Sequence, residues 1–319
     1  MLVSQGVDAA LAGVLGLLIG SFLNVVVYRT PVMMYRDWLF DAVGHLMTSP
    51  DGGPSLWARA LAPASSPADE RLRAAADEAV PVLEALPPFD LARPASRCGH
   101  CGQPVRWYRN VPVISYLALG GRCGDCKARI SPRYPIVELL TGLLFAWCGW
   151  RFGLTPAGAL WAACAALLVC QFLIDLDTQY LPDSYNYMLL WLGLIGAALG
   201  WTGIPLASAV WGAVAGYASL WLIYQGYLRL TGKEGMGFGD FKLLAALGAW
   251  FGVEFLLAIV LVSSLVGAVI GGTLLLVGKL AHKDVPISFG PFLAGAGLVC
   301  LVAGPARVQD WLPFAFPFH

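Results

Sequence analysis

Val169-Cys170-Gln171-Phe172-Leu173-Ile174-Asp175-Leu176-Asp177 is the stretch on which the reading of this chain turns. It closes residues 152–174, a run without a charge between Arg151 and Asp175. One helix needs about 20 apolar residues to cross a bilayer, so the run reads as a membrane span that carries a carboxylate to the membrane edge. Carboxylates beside hydrocarbon are expensive, and a functional site is the default reading for one. A second acid stands 65 residues later: Asp240 closes Gly235-Met236-Gly237-Phe238-Gly239-Asp240 and opens another apolar segment.

The rest of the chain has the same character. Its 319 residues are 58% hydrophobic and 13% charged, against roughly 25% charged in soluble domains. Net charge is zero, so nothing in the total points to nucleic acid. Further windows long enough to span are 9–28, 255–278 and 285–306, while 184–228 is long enough for two spans broken at Gly200-Trp201-Thr202-Gly203-Ile204-Pro205. Residues 135–150, interrupted by Glu138, and 241–253 are shorter candidates. Together these predict an all-α polytopic membrane protein of about eight transmembrane helices. The first window lacks a basic start and a small-residue cleavage site, so it does not read as a cleavable signal.

Lysine and arginine set the expected orientation. Segment 29–134 and the loops near 229–242 and 279–284 fall on one side of an eight-span topology and hold 18 of the 20 basic residues. Discounting the middle of the long segment still leaves 11 against 2. That side is expected to be cytoplasmic, with both termini opposite, and it places Asp175 and Asp240 at the cytoplasmic edge.

Residues 30–133 form the large polar segment. Its middle, about 50–95, is rich in Ala, Pro and Ser, with a short helix expected near 68–86, and reads as a linker or insertion. Its end carries chemistry. Cys98-Gly99-His100-Cys101 and Cys123-Gly124-Asp125-Cys126 are two C-x2-C pairs with 21 residues between them. Four thiolates on two tight knuckles suit tetrahedral zinc, although the gap is slightly longer than the commonest spacing. Two disulfides would conflict with a reducing cytoplasm. The glycine after the first cysteine of each pair is expected to ease the turn, and His100 reads as a knuckle residue rather than a ligand. Cys148, Cys164, Cys170 and Cys300 lie in apolar spans and read as small buried hydrophobes.

At the acidic site, Asp183 and Ser184 suit a cap on the helix that follows Pro182. Asp175 fits a polar turn less well, because it follows Phe172-Leu173-Ile174 directly. Around Asp240, alternating glycines allow close backbone approach and unusual dihedral angles. Asp240 as a helix N-cap is the plain alternative. A phosphate cradle is a poor fit, since neither the spacing nor a preceding strand is right. Lys242 is either a flanking anchor or a bias on the Asp240 carboxylate. Two carboxylates that meet across a bundle would share one proton and could work as acid and base on a peptide bond. Ion transport through paired acids is the competing reading.

The motifs in order resemble the bacterial type IV prepilin peptidases, the leader peptidase/N-methyltransferases, which are GxGD aspartic proteases of the membrane. They are Gly20-Ser21-Phe22-Leu23-Asn24-Val25-Val26-Val27-Tyr28-Arg29, both cysteine pairs, Arg133-Tyr134-Pro135-Ile136-Val137-Glu138, Asp175-Leu176-Asp177, Leu181-Pro182-Asp183, Thr231 to Lys242, and Pro286-Ile287-Ser288-Phe289-Gly290-Pro291. The resemblance covers nearly the whole chain. It implies cleavage of the basic leader of prepilins and pseudopilins of type IV pilus or type II secretion systems, on the cytoplasmic side after a glycine. Methylation of the new N-terminus with S-adenosylmethionine follows. It maps the catalytic acids onto Asp175 and Asp240, the preceding glycines onto Gly237 and Gly239, and the four-cysteine segment onto Cys98, Cys101, Cys123 and Cys126.

Many members have histidine where this chain has Thr178 and tyrosine where it has Phe238, and 38–93 matches little. Asp175 is preferred over Asp177 because it continues the apolar helix; Asp177 would then hydrogen-bond or tune it. No glycine-rich methyltransferase fingerprint is present. Glu138, Asn24 and Arg29 are polar groups at helix ends that either line a methyl-donor site or serve as caps and interfacial residues. The expected organisation is a first helix at 1–29, a cytoplasmic zinc segment at 30–133 and a seven-helix peptidase domain at 134–319, embedded in lipid and acting on prepilins.

Overall fold

The computed structural model describes residues 2–46, 67–277 and 288–316. Among these the chain is helical, with two isolated β-bridges and no β-strand. The principal helices are α1 (Leu2–Leu46), α2 (Pro67–Glu84), α3 (Ile114–Ala118), α4 (Arg133–Phe152), α5 (Pro156–Thr178), α6 (Asp183–Ala198), α7 (Leu206–Thr231), α8 (Phe238–Phe251), α9 (Leu256–Leu276), α10 (Gly290–Ala303) and α11 (Pro305–Trp311). Over its described residues each apolar window is largely helical. Among the described residues four stretches are long and apolar enough to cross a membrane: Ser4–His45, Pro156–Thr178, Leu206–Thr231 and Val253–Leu274. The remaining four windows fall short for identifiable reasons. Helix α4 carries Arg133, Glu138 and Arg151, whereas α6, α8 and α10 have 16, 14 and 14 residues. The basic residues Lys279 and Lys283 and the motif residues Pro286 and Ile287 lie outside the described residues.

Contacts divide the chain into two units, Met1–Asn24 with Arg106–His319, and Val25–Val105. In the first, α8 is the central helix. Asp240, Phe241 and the whole run Leu243 to Phe251 are buried, although the helix has no polar face to turn outward. A helix hydrophobic all round belongs inside a bundle. Glycine lets its neighbours come to backbone distance. Gly212 of α7 and Gly248 of α8 meet backbone to backbone, and a Cβ on Gly216 would lie 2.7 Å from the Leu244 carbonyl oxygen. Small residues at helix crossings let membrane helices gain packing energy that lipid does not supply. Trp250 of α8 fills the opposite side: it packs against Trp161 of α5 with ring centroids 5.0 Å apart and planes tilted by 54°, and its Nε1–H donates to the Leu189 carbonyl of α6 at 2.8 Å. Truncating a tryptophan so placed costs about 3–5 kcal/mol. The same close packing seats the start of α1 on α4, where a Cβ on Gly20 would stand 2.8 Å from the Glu138 Cα and one on Gly16 2.8 Å from the Thr141 oxygen.

In the second unit, α1 continues past Arg29, beyond the expected end of the first span, and runs through Pro31 to Leu46. An interior proline costs a hydrogen bond and crowds the carbonyl four residues back, but its φ is helical, and the helix runs on through it. Arg29 donates to the Asp90 and Pro94 carbonyls at 2.8 and 2.5 Å and lies over the Phe89 ring. Helix α2 falls where the short helix was expected.

Candidate active site

Helix α5 starts at Thr155, whose hydroxyl accepts the Gly158 N–H at 3.1 Å, with Pro156 at its first position. It ends at Gln179, a left-handed residue (φ 55°) whose N–H donates to the Asp175 carbonyl. Asp175 is thus in the last turn and is 1% exposed. Asp240 is the third residue of α8, after Gly237 as N-cap, and is 7% exposed. The alternative of Asp240 as the cap itself does not hold. The two acids come from different helices to the same end of the bundle, where Leu181 packs both on Gly239, the neighbour of Asp240, and on Gly290, which abuts the Asp175 carboxylate.

Asp175 has two donors. The Ser288 hydroxyl donates to its Oδ2, and so does the Gly290 backbone N–H to its carboxylate. Gly290 has no room for a side chain, since a Cβ there would overlap Oδ2 and stand 2.8 Å from Leu181. Ser288 lay inside a motif visible in the sequence, but nothing in its spacing tied it to Asp175. One turn below Asp175, Gln171 donates to Asn186 of α6 at 2.6 Å. Among the described residues the buried Gln171 Oε1 and Asn186 Nδ2 have no hydrogen-bond partner. This pair was not foreseen; the signal was a carboxamide four residues before Asp175 in an otherwise apolar run.

Asp177, two residues on, faces elsewhere. Its carboxylate makes a two-pronged pair with Arg133 at 2.8 and 2.7 Å, with side chains 37% and 41% exposed. It therefore bonds to Arg133 and not to Asp175. Lys242 likewise turns from Asp240 to Asp183, at 2.6 and 2.7 Å. Asp183 is the first residue of α6, capped by Pro182 without a side-chain bond, so Asp183 and Ser184 do not serve as the expected caps.

Gly235, Gly237 and Gly239 are none of them in a positive-φ conformation. Their smallness is what the structure uses. A Cβ on Gly235 would meet the Tyr227 ring at 2.8 Å and one on Gly239 would meet Leu181 at 2.9 Å, while nothing lies within 4 Å of Gly237.

The cysteine pairs form two similar knuckles. The Cys98 N–H donates to Gln103 and the Gly102 N–H back to Cys98, both at 2.9 Å. In the other, the Cys123 N–H donates to Ala128 at 2.8 Å and the Lys127 N–H to Cys123 at 3.1 Å. The left-handed position is the residue after the second cysteine, Gly102 (φ 70°) and Lys127 (φ 60°), not Gly99 or Gly124. The sulfurs of Cys98 and Cys101 lie within 4.8 Å of each other on the first knuckle, as do those of Cys123 and Cys126 on the second, and His100 is not grouped with them. A tetrahedral zinc thiolate site has sulfurs ~3.8 Å apart. Arg109 pairs with Asp125 beside the second knuckle at 2.9 Å, which holds the Asp125 carboxyl below its usual range. Cys148, Cys164, Cys170 and Cys300 are buried, as their apolar setting implied.

The polar groups considered for a methyl donor are already engaged. Glu138 accepts the Val113 N–H at 2.7 Å, Asn24 donates to Gly20 and Tyr134 carbonyls at 3.2 Å, and Arg29 is bonded as described above.

Comparison with known proteins places this architecture in one class. Residues 14–152 match the bacterial peptidase A24 N-terminal domain, and residues 161–272 match the type IV leader peptidase family. The chain belongs to the type IV leader peptidase family. It is 46% identical over 95% of its length to a prepilin leader peptidase/N-methyltransferase of Stutzerimonas stutzeri, covering 93% of that protein. Relatives of the same name from Neisseria gonorrhoeae and Pseudomonas aeruginosa are each 43% identical, over 94% of this chain and 93% and 92% of their own. No solved structure matches the chain.

Proposed function

We propose that this chain is a membrane aspartic peptidase that removes the leader from type IV prepilins and pseudopilins and then methylates the new N-terminus with S-adenosylmethionine. The observation that carries the cleavage is the pair of buried carboxyls, Asp175 and Asp240, brought together from α5 and α8 inside the segment that matches the peptidase family. One carboxylate takes a proton from water as the water oxygen attacks the scissile carbonyl, and the other, protonated, hydrogen-bonds the carbonyl oxygen. Asp175 fills the catalytic role rather than Asp177, because Asp177 is exposed and held by Arg133. The open space at Gly237 leaves an extended cleavage segment room beside Asp240. Methylation rests on the names of the relatives.

Zinc is the proposed ion of Cys98, Cys101, Cys123 and Cys126; the four-sulfur donor set and its spacing fit that metal, which would brace the two knuckles. The eight apolar helices are all proposed to cross or insert in the inner membrane, with α6, α8 and α10 shielded by the longer ones, and with the basic loops and the acid pair on the cytoplasmic side. Under this reading residues 1–29, 30–133 and 134–319 act as anchor, zinc segment and peptidase core.

The test is mass spectrometry of a prepilin incubated with the purified chain and S-adenosylmethionine, beside the Asp240→Asn variant. Loss of the leader and gain of one methyl group, both absent in the variant, is expected. Loss of the leader alone removes the methyltransferase from the proposal. An intact prepilin, with ion flux from reconstituted vesicles, replaces it with the ion-relay reading.

A further inference from the structure

We infer that Ser288 is a positioning residue that, with the Gly290 backbone N–H, fixes Asp175 as the base of the pair and leaves Asp240 as the acid. This rests on the peptidase reading above and goes beyond it, because an acid pair alone does not say which member starts with the proton.

The surroundings of the two carboxyls are unequal. Asp175 receives the Ser288 hydroxyl and the Gly290 N–H, both from the chain entering α10. A backbone N–H can only donate, so that contact favours the carboxylate over the acid. The Gly290 N–H is at the first position of a 14-residue helix, whose unpaired amides also favour negative charge. The approach is as close as the chain allows, since even a Cβ on Gly290 would overlap the carboxylate. Asp240 has no such support. Among the described residues no donor reaches its carboxyl, which is buried. The remaining charged groups around this end are closed on themselves, Arg133 with Asp177 and Lys242 with Asp183, while Lys233 and Glu234 are exposed before α8. The single shared proton therefore resides on Asp240.

The steps balance. Asp175 carboxylate takes one proton of water, the water oxygen bonds the carbonyl carbon, and Asp240 gives its proton to the carbonyl oxygen. The resulting diol then loses the amine: the C–N bond breaks, the nitrogen takes the proton held by Asp175, and a diol hydroxyl returns its proton to Asp240. The pair ends in the state in which it began.

The experiment compares full-length wild type, Ser288→Ala, Ser288→Thr and Ser288→Cys in membranes, with kcat and KM for prepilin cleavage measured across pH. Loss of a hydrogen bond to a charged group moves the acidic limb of the kcat profile by about one to two pH units. The expected result is that limb moved toward neutral pH in Ser288→Ala, KM unchanged, and recovery in Ser288→Thr. Ser288→Cys, which keeps the volume and weakens the donor, gives an intermediate limb and serves if the alanine chain fails to insert. An acidic limb that stays in place in both Ser288→Ala and Ser288→Cys overturns the inference, as does a threonine variant no better than alanine. Failure of wild type to cleave at all would instead overturn the peptidase reading.

Discussion

The acid pair and the two cysteine knuckles are held in opposite ways. Asp175 and Asp240 are carried by helices whose neighbours approach to backbone distance, and the geometry is fixed by shape: Gly212 on Gly248, Gly290 on the carboxylate itself. The cysteines sit on short loops, partly exposed, each shaped by two backbone hydrogen bonds and one left-handed residue. The lesson is that the first region admits no added volume at these contacts, whereas the second depends on the chemistry of its sulfurs and of what they bind.

The contrast can be broken or sharpened by substitution. The largest effect belongs to the acids: Asp175→Asn or Asp240→Asn is expected to lower cleavage by at least about 10²–10⁴-fold, the usual contribution of a positioned acid or base. Membrane insertion should be unchanged. Either variant cleaving at the wild-type rate would exclude that residue from the pair. Next is Gly290→Ala, which changes no chemistry but pushes a methyl group against Asp175. A displacement of about 1 Å at a reacting group costs roughly 10²-fold, so kcat should fall by that order in the prepilin assay. Little or no loss would mean that shape does not fix this region.

Cys98→Ser and Cys123→Ser test the other side of the comparison. Each is expected to release the ion, read as zinc per chain by elemental analysis of the purified protein, while cleavage falls less than with Gly290→Ala. Stoichiometric zinc in either variant would remove that cysteine from the ligand set. The smallest effect is expected for Asp177→Asn, which opens an exposed pair worth no more than about 1 kcal/mol. Cleavage should stay within roughly fivefold of wild type. A loss as deep as that of Asp175→Asn would show that the exposed acid is the catalytic one.

The helical architecture was largely legible in the sequence, because uncharged runs bounded by Arg151, Asp175, Asp183 and Arg229 are a membrane signal that needs no tertiary information. The position of Asp175 at the end of such a run was legible for the same reason. What escaped were contacts made across the bundle. Lys242 could be placed near Asp240 by spacing, but only the packing of α6 on α8 shows that Asp183 takes its charge. The partner of Asp177 is 44 residues away on α4, and that of Asp175 is 113 residues away before α10. The glycines before Asp240 suggested close backbone approach and unusual dihedral angles, whereas the structure sets side chains against Gly235 and Gly239, open space at Gly237 and no positive φ, since composition cannot separate a need for space from a need for positive φ. The continuation of α1 past Arg29 was hidden by Pro31, a residue that usually signals an end.

The length of α8 has a consequence for the enzyme's relation to its bilayer. Fourteen residues make a rod of ~21 Å, too short for a hydrocarbon layer of ~30 Å. In the bilayer placement proposed above, the helix is clothed by α5, α6, α7 and α10, so hydrophobic mismatch would fall on other surfaces than the helix that carries Asp240. The depth of that carboxyl would then be gauged against protein rather than lipid.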